Sequence, residues 1–235
     1  MEFEDDLDAT VRRADPDRWL ASRFIADEAA RADVVALYAL NIELSRIAEV
    51  VREPLMGEIR LTWWREAIDE LFAGRPPRGH PVVQALATAI TRRGLAAAPF
   101  VAMIEARFAD FEPSALSDLA AAEAYLDGAA GALMALAVAV LGGGEALAVR
   151  PAAQAWGLAG LARLGRLPEG FSGQDLRRRV DEGLDAARKA AAGLPVAAFP
   201  AVAYAGLARP YAAGRTPSEL EKRLRLTLSV LTGRI

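Results

Sequence analysis

The feature of this sequence that most constrains its fold is a helical spacing of apolar residues that recurs along nearly the whole chain. After Asp27, a residue suited to cap a helix, apolar side chains follow every three or four positions until Pro54 ends the segment. Segments with the same spacing are 61–72, 81–93, 99–111, 116–141, 145–164 and 174–192. A last helix is predicted from Pro217 to about Leu231. Since no segment alternates apolar and polar residues as a strand does, the 235 residues predict one all-α domain, 1–235.

Composition excludes several classes of function. The chain has no cysteine, which excludes disulfides, thiolate metal sites and cysteine nucleophiles. Its single histidine, His80, stands before Pro81 and is expected to cap a helix or lie in a loop. A formal net charge of −3 lacks the basic excess of nucleic-acid-binding proteins, so no nucleic acid is expected as a partner. The 26 arginines against two lysines are typical of a high-GC bacterial genome.

The sequence predicts a cytoplasmic protein. Its first residues are acidic, whereas a signal or transit peptide would be basic. Two uncharged stretches, 128–144 and 190–208, approach the roughly 20 residues that span a bilayer. The first ends in three glycines and the second is interrupted by glycine and proline, so neither is expected to be a transmembrane segment. The low charge of 190–208 leaves peripheral contact with the inner membrane open.

Two further motifs have ordinary explanations. The glycines at 142–144 lack the rest of a phosphate-binding fingerprint and follow a helix, which favours a turn between helices. The arginines at 177–179 alternate with carboxylates, which is typical of a solvated helix face; an anion site there is the alternative. Gly128 and Gly131, one turn apart, predict a flat stripe that a neighbouring helix or a thin ligand can approach closely.

Four short motifs, in one order along the chain, make residues 19–168 resemble the squalene/phytoene synthase family. They are ALYA at 36–39, WWR at 63–65, HPV at 80–82 and YxxGxAG at 125–131. The resemblance implies an isoprenoid-synthase-like helical bundle with a central apolar cavity, in which such enzymes join two prenyl diphosphates head to head. It also implies two aspartate-rich motifs whose carboxylates gather Mg²⁺ ions around the diphosphate.

Those aspartate-rich motifs are absent at the positions where the resemblance places them. The first position contains Ser45, Arg46 and Glu49, and the second, within 158–164, contains no carboxylate. Arg46 is expected to repel Mg²⁺ and to pair with Glu43 or Glu49 instead. No catalytic residue, metal or other cofactor is therefore assigned, and Mg²⁺ is expected only if the chain is an active enzyme.

Within the family, residues 41–47, 57–60 and 63–68 resemble a branch whose mitochondrial members are assembly factors of respiratory complex I. The residues that the resemblance places around a vestigial ligand cavity are Tyr38, Asn41, Ser45, Arg46, Glu49, Arg107, Tyr125, Gly128, Gly131 and Met134.

Three functions remain open at this point. The leading hypothesis is a non-catalytic protein that binds an isoprenoid or other apolar lipid, or a protein partner, in respiratory complex assembly. The second is an active prenyltransferase or terpene synthase of isoprenoid biosynthesis that holds diphosphate through arginines such as Arg46 and Arg107. The third is a structural protein whose cavity is filled by side chains, which Met134 favours because a thioether fills gaps.

Overall fold

A computed structural model describes residues 2–112, 114–143 and 146–235, and no strand occurs in these ranges. The α-helices are α1 (Glu2–Ala14), α2 (Pro16–Ser22), α3 (Glu28–Val50), α4 (Pro54–Phe72), α5 (Pro81–Arg93), α6 (Ala97–Ala106), α7 (Leu119–Leu126), α8 (Ala132–Val140), α9 (Arg150–Arg163), α10 (Gly173–Ala191), α11 (Pro200–Ala203), α12 (Ala208–Ala212) and α13 (Glu219–Thr232). Short 3₁₀ turns cover Arg107–Phe111, Ala146–Val149, Val196–Ala198 and Tyr204–Leu207. The predicted all-α fold is confirmed.

Two helix starts follow the capping signals of the sequence. The Asp27 carboxylate accepts a hydrogen bond from the amide of Ala29, and Nδ1 of His80 accepts one from the amide of Val82. Other bounds differ from the prediction: α4 begins at Pro54 rather than at 61, and α9 begins at Arg150 rather than at 145. The last helix has its N-cap at Ser218, which accepts from the amide of Glu221. The predicted start at Pro217 is therefore wrong by two residues, since a serine hydroxyl satisfies a free amide that proline cannot.

The predicted helix over 116–141 is one continuous helix from Leu119 to Val140, with a π turn at Asp127–Gly131 between α7 and α8. By length and composition it could cross a membrane, and 67% of its most apolar window is buried within the fold. The glycine turn predicted at 142–144 is described only to Gly143; Gly142 has a φ of +73°, and residue 144 lies outside the described residues.

Two helices, α3 and α9, each pack against several other parts of the fold. α3 packs against α1, α5 and α8, while α9 packs against α10, α12 and the π turn. Apolar side chains from α1 to α13 contribute to a shared core. Within the uncharged stretch 190–208, residues 198–208 are mostly buried in this core, Tyr204 and Leu207 completely, whereas residues 195–197 are exposed, Val196 to 72%. Only the first part of the stretch therefore offers a surface that a membrane could contact.

Candidate functional site

A cluster of polar side chains joins four separate parts of the fold. Arg107, in the 3₁₀ turn after α6, donates to Oη of Tyr125 on α7 at 2.8 Å and to Oδ1 of Asn41 on α3 at 3.0 Å. Tyr125 donates to Oδ1 of Asp110 at 2.9 Å, and Arg166, beyond α9, donates to the same oxygen at 2.6 Å. We call these five residues the Asp110 cluster. Three of them were predicted site residues; Asp110 and Arg166 were not.

In the Asp110 cluster one carboxylate is the counter-ion of two guanidinium groups, those of Arg107 and Arg166, so the cluster keeps a net positive charge. The Asp110 side chain is 3% exposed, and its Oδ2 lies 3.5 Å from Nη1 of Arg107. Burial lowers the pKa of Arg166, but the hydrogen bond and the charge of Asp110 outweigh it and raise that pKa overall. Burial raises the pKa of Tyr125, so its hydroxyl keeps its proton and donates. With both oxygens of Asp110 engaged, the cluster is suited to hold helices together rather than to bind a metal.

The residues at the first metal-motif position, all on α3, do not form a common site. Ser45 donates to the carbonyl oxygen of Ile42 at 3.0 Å, which binds its hydroxyl to its own helix. Arg46 and Glu49 are both exposed. In the described part of the chain no carboxylate lies within 4.0 Å of the Arg46 guanidinium, so the predicted pair with Glu43 or Glu49 is wrong. An exposed ion pair contributes little to stability, because the entropy lost in ordering two long side chains offsets the electrostatic attraction in water.

A buried arginine occupies the apolar interior beside Tyr38. The Arg18 guanidinium lies over the rings of Tyr204, Trp156 and Tyr38, at 4.9, 5.6 and 5.9 Å from their centroids. Its charge is balanced by Asp15, 2.6 Å away. A cavity large enough for water would give the side chains that line it some solvent-accessible surface. Tyr38 is only 1% exposed, so no such cavity borders it. At Tyr38 the interior is therefore filled with side chains.

Met134 and the two glycines of the stripe have different surroundings. Met134 is 0% exposed and also lies in packed interior. A Cβ at Gly128 would lie 2.7 Å from Cβ of Ala106 and 3.0 Å from the carbonyl oxygen of Ala102, so α6 packs directly on the π turn there. A Cβ at Gly131 would meet only the carbonyl oxygen of Leu126, at 3.6 Å. The stripe thus provides close helix packing at Gly128.

Two open clefts adjoin these positions. One, of about 660 Å³, is bordered by Asp110 and Arg166 of the Asp110 cluster. The other, of about 420 Å³, lies between α3 and α4 and contains Arg46; we call it the Trp63 groove. Its lining residues are Glu43, Arg46, Ile47, Val50, Arg60, Trp63, Trp64 and His80. The predicted site residues are therefore divided among the Asp110 cluster, the Trp63 groove, the packed interior and the surface.

Comparison with known proteins identifies the family. The sequence profile of squalene/phytoene synthase matches residues 11–163, about two thirds of the chain. The chain belongs to the squalene/phytoene synthase family. Solved structures similar to it include a dehydrosqualene synthase in complex with a ligand, with a TM-score of 0.81 and 14% identity over 99% of this chain and 96% of that one. Squalene synthase HpnC from Alicyclobacillus acidocaldarius has a TM-score of 0.69 and 18% identity, covering 99% and 94%. At these identities the two structures show the shared fold.

Curated relatives of this family member are complex I assembly factors. The rat protein "NADH dehydrogenase (ubiquinone) complex I, assembly factor 6" is 29% identical over 56% of this chain and 39% of its own length. The human protein is 26% identical over the same shares, and the homolog from Dictyostelium discoideum is 26% identical over 56% and 37%. The match thus spans about two fifths of the length of these relatives.

The residues of this family member do not fit the Mg²⁺ ions that the family resemblance implies. A site for Mg²⁺ needs several carboxylate oxygens directed at one point. The first motif position offers Ser45, Arg46 and Glu49, and residues 158–164 offer no carboxylate. Throughout the described ranges, no group of three or more His, Cys, Asp or Glu side chains is placed to hold a metal ion.

Proposed function

We propose that this chain is a non-catalytic member of the squalene/phytoene synthase family that assists the assembly of respiratory complex I by binding a protein partner. The observation that carries the proposal is Arg18, whose guanidinium fills the interior between Tyr38, Trp156 and Tyr204. A long prenyl chain needs open apolar volume, and a buried cation held by Asp15 is costly to displace.

The donor set at the metal positions supports the same proposal. Loss of a diphosphate leaving group is normally assisted by metal ions that neutralise its charge. Here arginines alone would have to supply that stabilisation, and Arg107 is already engaged by Asn41, Asp110 and Tyr125. We therefore expect the diphosphate chemistry of the family to be absent.

The curated relatives supply the proposed partner. These relatives are named as assembly factors of complex I, and they match over 132 residues of this chain. An assembly factor acts through contacts with other proteins. Because the interior is filled at Tyr38 and Met134, we expect this protein to make such contacts through its surface.

The first test is enzymatic. Purified protein is incubated with farnesyl or geranylgeranyl diphosphate, with and without Mg²⁺, and released pyrophosphate is measured beside an active dehydrosqualene synthase. We expect no release from this protein while circular dichroism shows it to be helical. Metal-dependent release that disappears in Glu49→Ala would overturn the proposal and establish a prenyltransferase.

The second test addresses assembly. The gene for this chain is deleted in the organism that encodes it. The experiment then measures rotenone-sensitive NADH oxidation and the amount of intact complex I on native gels. We expect both to fall and to be restored by the wild-type gene. Unchanged complex I in the deletion strain would contradict a role in its assembly.

A second candidate function, binding of an isoprenoid or other lipid, is supported by an apolar cleft of about 820 Å³. Phe24, Val140, Leu141, Pro200 and Val230 contribute to its lining. Native mass spectrometry of the purified protein would detect a bound lipid. Val196 also lines the cleft and is 72% exposed. Loss of the lipid mass in Val196→Asp, but not in Val50→Asp outside the cleft, would establish the site, and detection of lipid-free protein alone would reject it.

A further inference from the structure

The Trp63 groove combines an aromatic floor with unused hydrogen-bond donors. Trp63 and Trp64 meet edge to face, with ring centroids 5.1 Å apart, and His80 packs against both. Arg46 and Arg60 also line the groove. Neither guanidinium has a carboxylate within 4.0 Å among the residues the structure describes, although most arginines of this chain do.

The neutral donors of the groove are also without partners. Nδ1 of His80 accepts from the Val82 amide, so the neutral ring carries its proton on Nε2. That Nε2–H and the indole N–H groups of Trp63 and Trp64 donate to no acceptor in the described ranges, whereas the indole of Trp19 donates to Asp8 at 2.9 Å. Glu43 is the single carboxylate among the lining residues. The groove therefore suits an occupant rich in acceptors, with negative charge opposite the two arginines.

An exposed apolar face continues from the groove. Val50, at its rim, is 58% exposed, and Leu55, Met56 and Ile59 at the start of α4 are 65%, 47% and 52% exposed. Positions 55, 59 and 63 follow one another at a spacing of four residues, so helix geometry places this face beside Trp63. Exposed apolar residues grouped in this way are typical of interaction sites.

We infer that the Trp63 groove and this apolar face bind an amphipathic peptide segment of a partner protein. Its carboxylates face Arg46 and Arg60, and its aliphatic or aromatic side chains cover Trp63 and Ile59. The inference rests on the proposed function only in taking the occupant to be a protein. An anionic membrane fits less well, because its evenly spread negative charge would also meet the exposed Glu49, Glu53 and Glu58. A peptide can instead place its few carboxylates opposite Arg46 and Arg60 alone.

The experiment selects peptides from a random library of segments about 16 residues long, displayed on phage, against the full-length protein. Selected peptides are synthesised, and their affinities are measured by fluorescence anisotropy. We expect them to combine Asp or Glu with apolar residues, and to bind Arg46→Glu/Arg60→Glu at least roughly tenfold more weakly. Replacement of the peptide carboxylates by lysine should weaken binding to the wild type and restore it to the double variant.

The matched control is Arg177→Glu/Arg223→Glu, which makes the same change of charge at two exposed arginines outside the groove. It should bind the selected peptides like the wild type. Failure to select peptides, or equal weakening in both double variants, would overturn the inference. Binding to phosphatidylglycerol vesicles that requires Arg46 and Arg60, without peptide binding, would show a membrane surface instead.

The outcome is separable from that of the proposed function. If deletion of the gene impairs complex I but Arg46→Glu/Arg60→Glu restores it fully, the groove inference fails and the assembly role stands. If selected peptides bind the groove as expected but deletion leaves complex I unchanged, the groove is a peptide site and the assembly role fails.

Discussion

At the scale of single residues, two of the buried charges have partners of different kinds. Asp110 accepts hydrogen bonds from Tyr125 and Arg166, and Arg18 lies among aromatic rings with Asp15 beside it. Taking a charge out of water is favourable only when partners replace the lost hydration. Each of these residues should therefore matter more to stability than an exposed residue of the same type.

For Asp110, we expect Asp110→Asn to lower the free energy of unfolding by about 2 kcal/mol, because the hydrogen bonds to a charged acceptor are weakened and two guanidinium groups lose their counter-ion. Urea denaturation followed by circular dichroism measures the change. Glu112→Gln, an exposed neighbour, is the matched control and should leave the transition in place. Equal effects of the two substitutions would show that the Asp110 cluster contributes no more than a surface carboxylate.

For Arg18, the substitution Arg18→Lys keeps the charge but loses the planar group that stacks on Tyr38, Trp156 and Tyr204. We expect a loss of about 2 kcal/mol in unfolding free energy, the size of a desolvated cation–π interaction. Arg13→Lys, on an exposed part of α1, should have no measurable effect. An unchanged midpoint in Arg18→Lys would mean that charge alone, rather than stacking, holds the residue there.

At the scale of the elements, the π turn between α7 and α8 is the feature that periodicity did not reveal. The spacing of apolar residues predicted one helix over 116–141, and a helix runs from Leu119 to Val140. The YxxGxAG motif covers the π turn at Asp127–Gly131, but its residues do not show that the helix widens there. At Gly128 the absence of a side chain lets α6 approach the turn closely.

The two glycines of this turn provide a matched pair. Gly128→Ala should destabilise the protein by about 1–3 kcal/mol, because its Cβ would overlap with Ala106 and Ala102. Gly131→Ala meets no close atom outside its own helix, and should be neutral or stabilising by up to about 1 kcal/mol through helix propensity. Thermal and urea unfolding of both variants measure the difference. Equal destabilisation would show that the turn itself, rather than the contact with α6, requires glycine.

At the scale of the whole molecule, a buried polar network ties the two ends of the chain together. Asp17 on α2 accepts from the Tyr211 hydroxyl at 2.5 Å and lies 2.9 Å from Nζ of Lys222 on α13. Burial, and then the hydrogen bond to Asp17, raises the pKa of Tyr211 to about 12. The pKa of Lys222 is also raised, because Asp17 and Glu219 outweigh the effect of burial.

This network predicts a loss of stability in alkali. A tyrosine whose folded pKa exceeds its unfolded value of about 10 contributes stability that is complete below pH 10 and is lost as pH rises towards 12. The unfolding free energy, measured with urea, should therefore fall over that window. In Tyr211→Phe the fall should be shallower, because one titrating group is gone. The same slope in both proteins would mean that Tyr211 ionises alike in the folded and unfolded chain.

The sequence by itself determined the all-α class, most of the longer helices and the family, but it did not show α1, α2, α11 and α12. Apolar spacing and local caps such as Asp27 and His80 act within a few residues of the chain, so they can be read from it directly. It also showed that the metal carboxylates are absent, because that is a statement about residue identity. Asn41, Arg107 and Tyr125 were found as candidates, yet their common partner Asp110 was not.

Only the tertiary structure decided which residues meet. The contacts of Asp110 with Arg166 and of Tyr211 with Asp17 join positions 56 and 194 residues apart, and no local pattern encodes such a pairing. The same holds for the filling of the interior by Arg18, whose partners Tyr38, Trp156 and Tyr204 come from distant segments. Whether a cavity is open depends on how all the helices pack at once, because close packing leaves each side chain only the volume that its neighbours do not take.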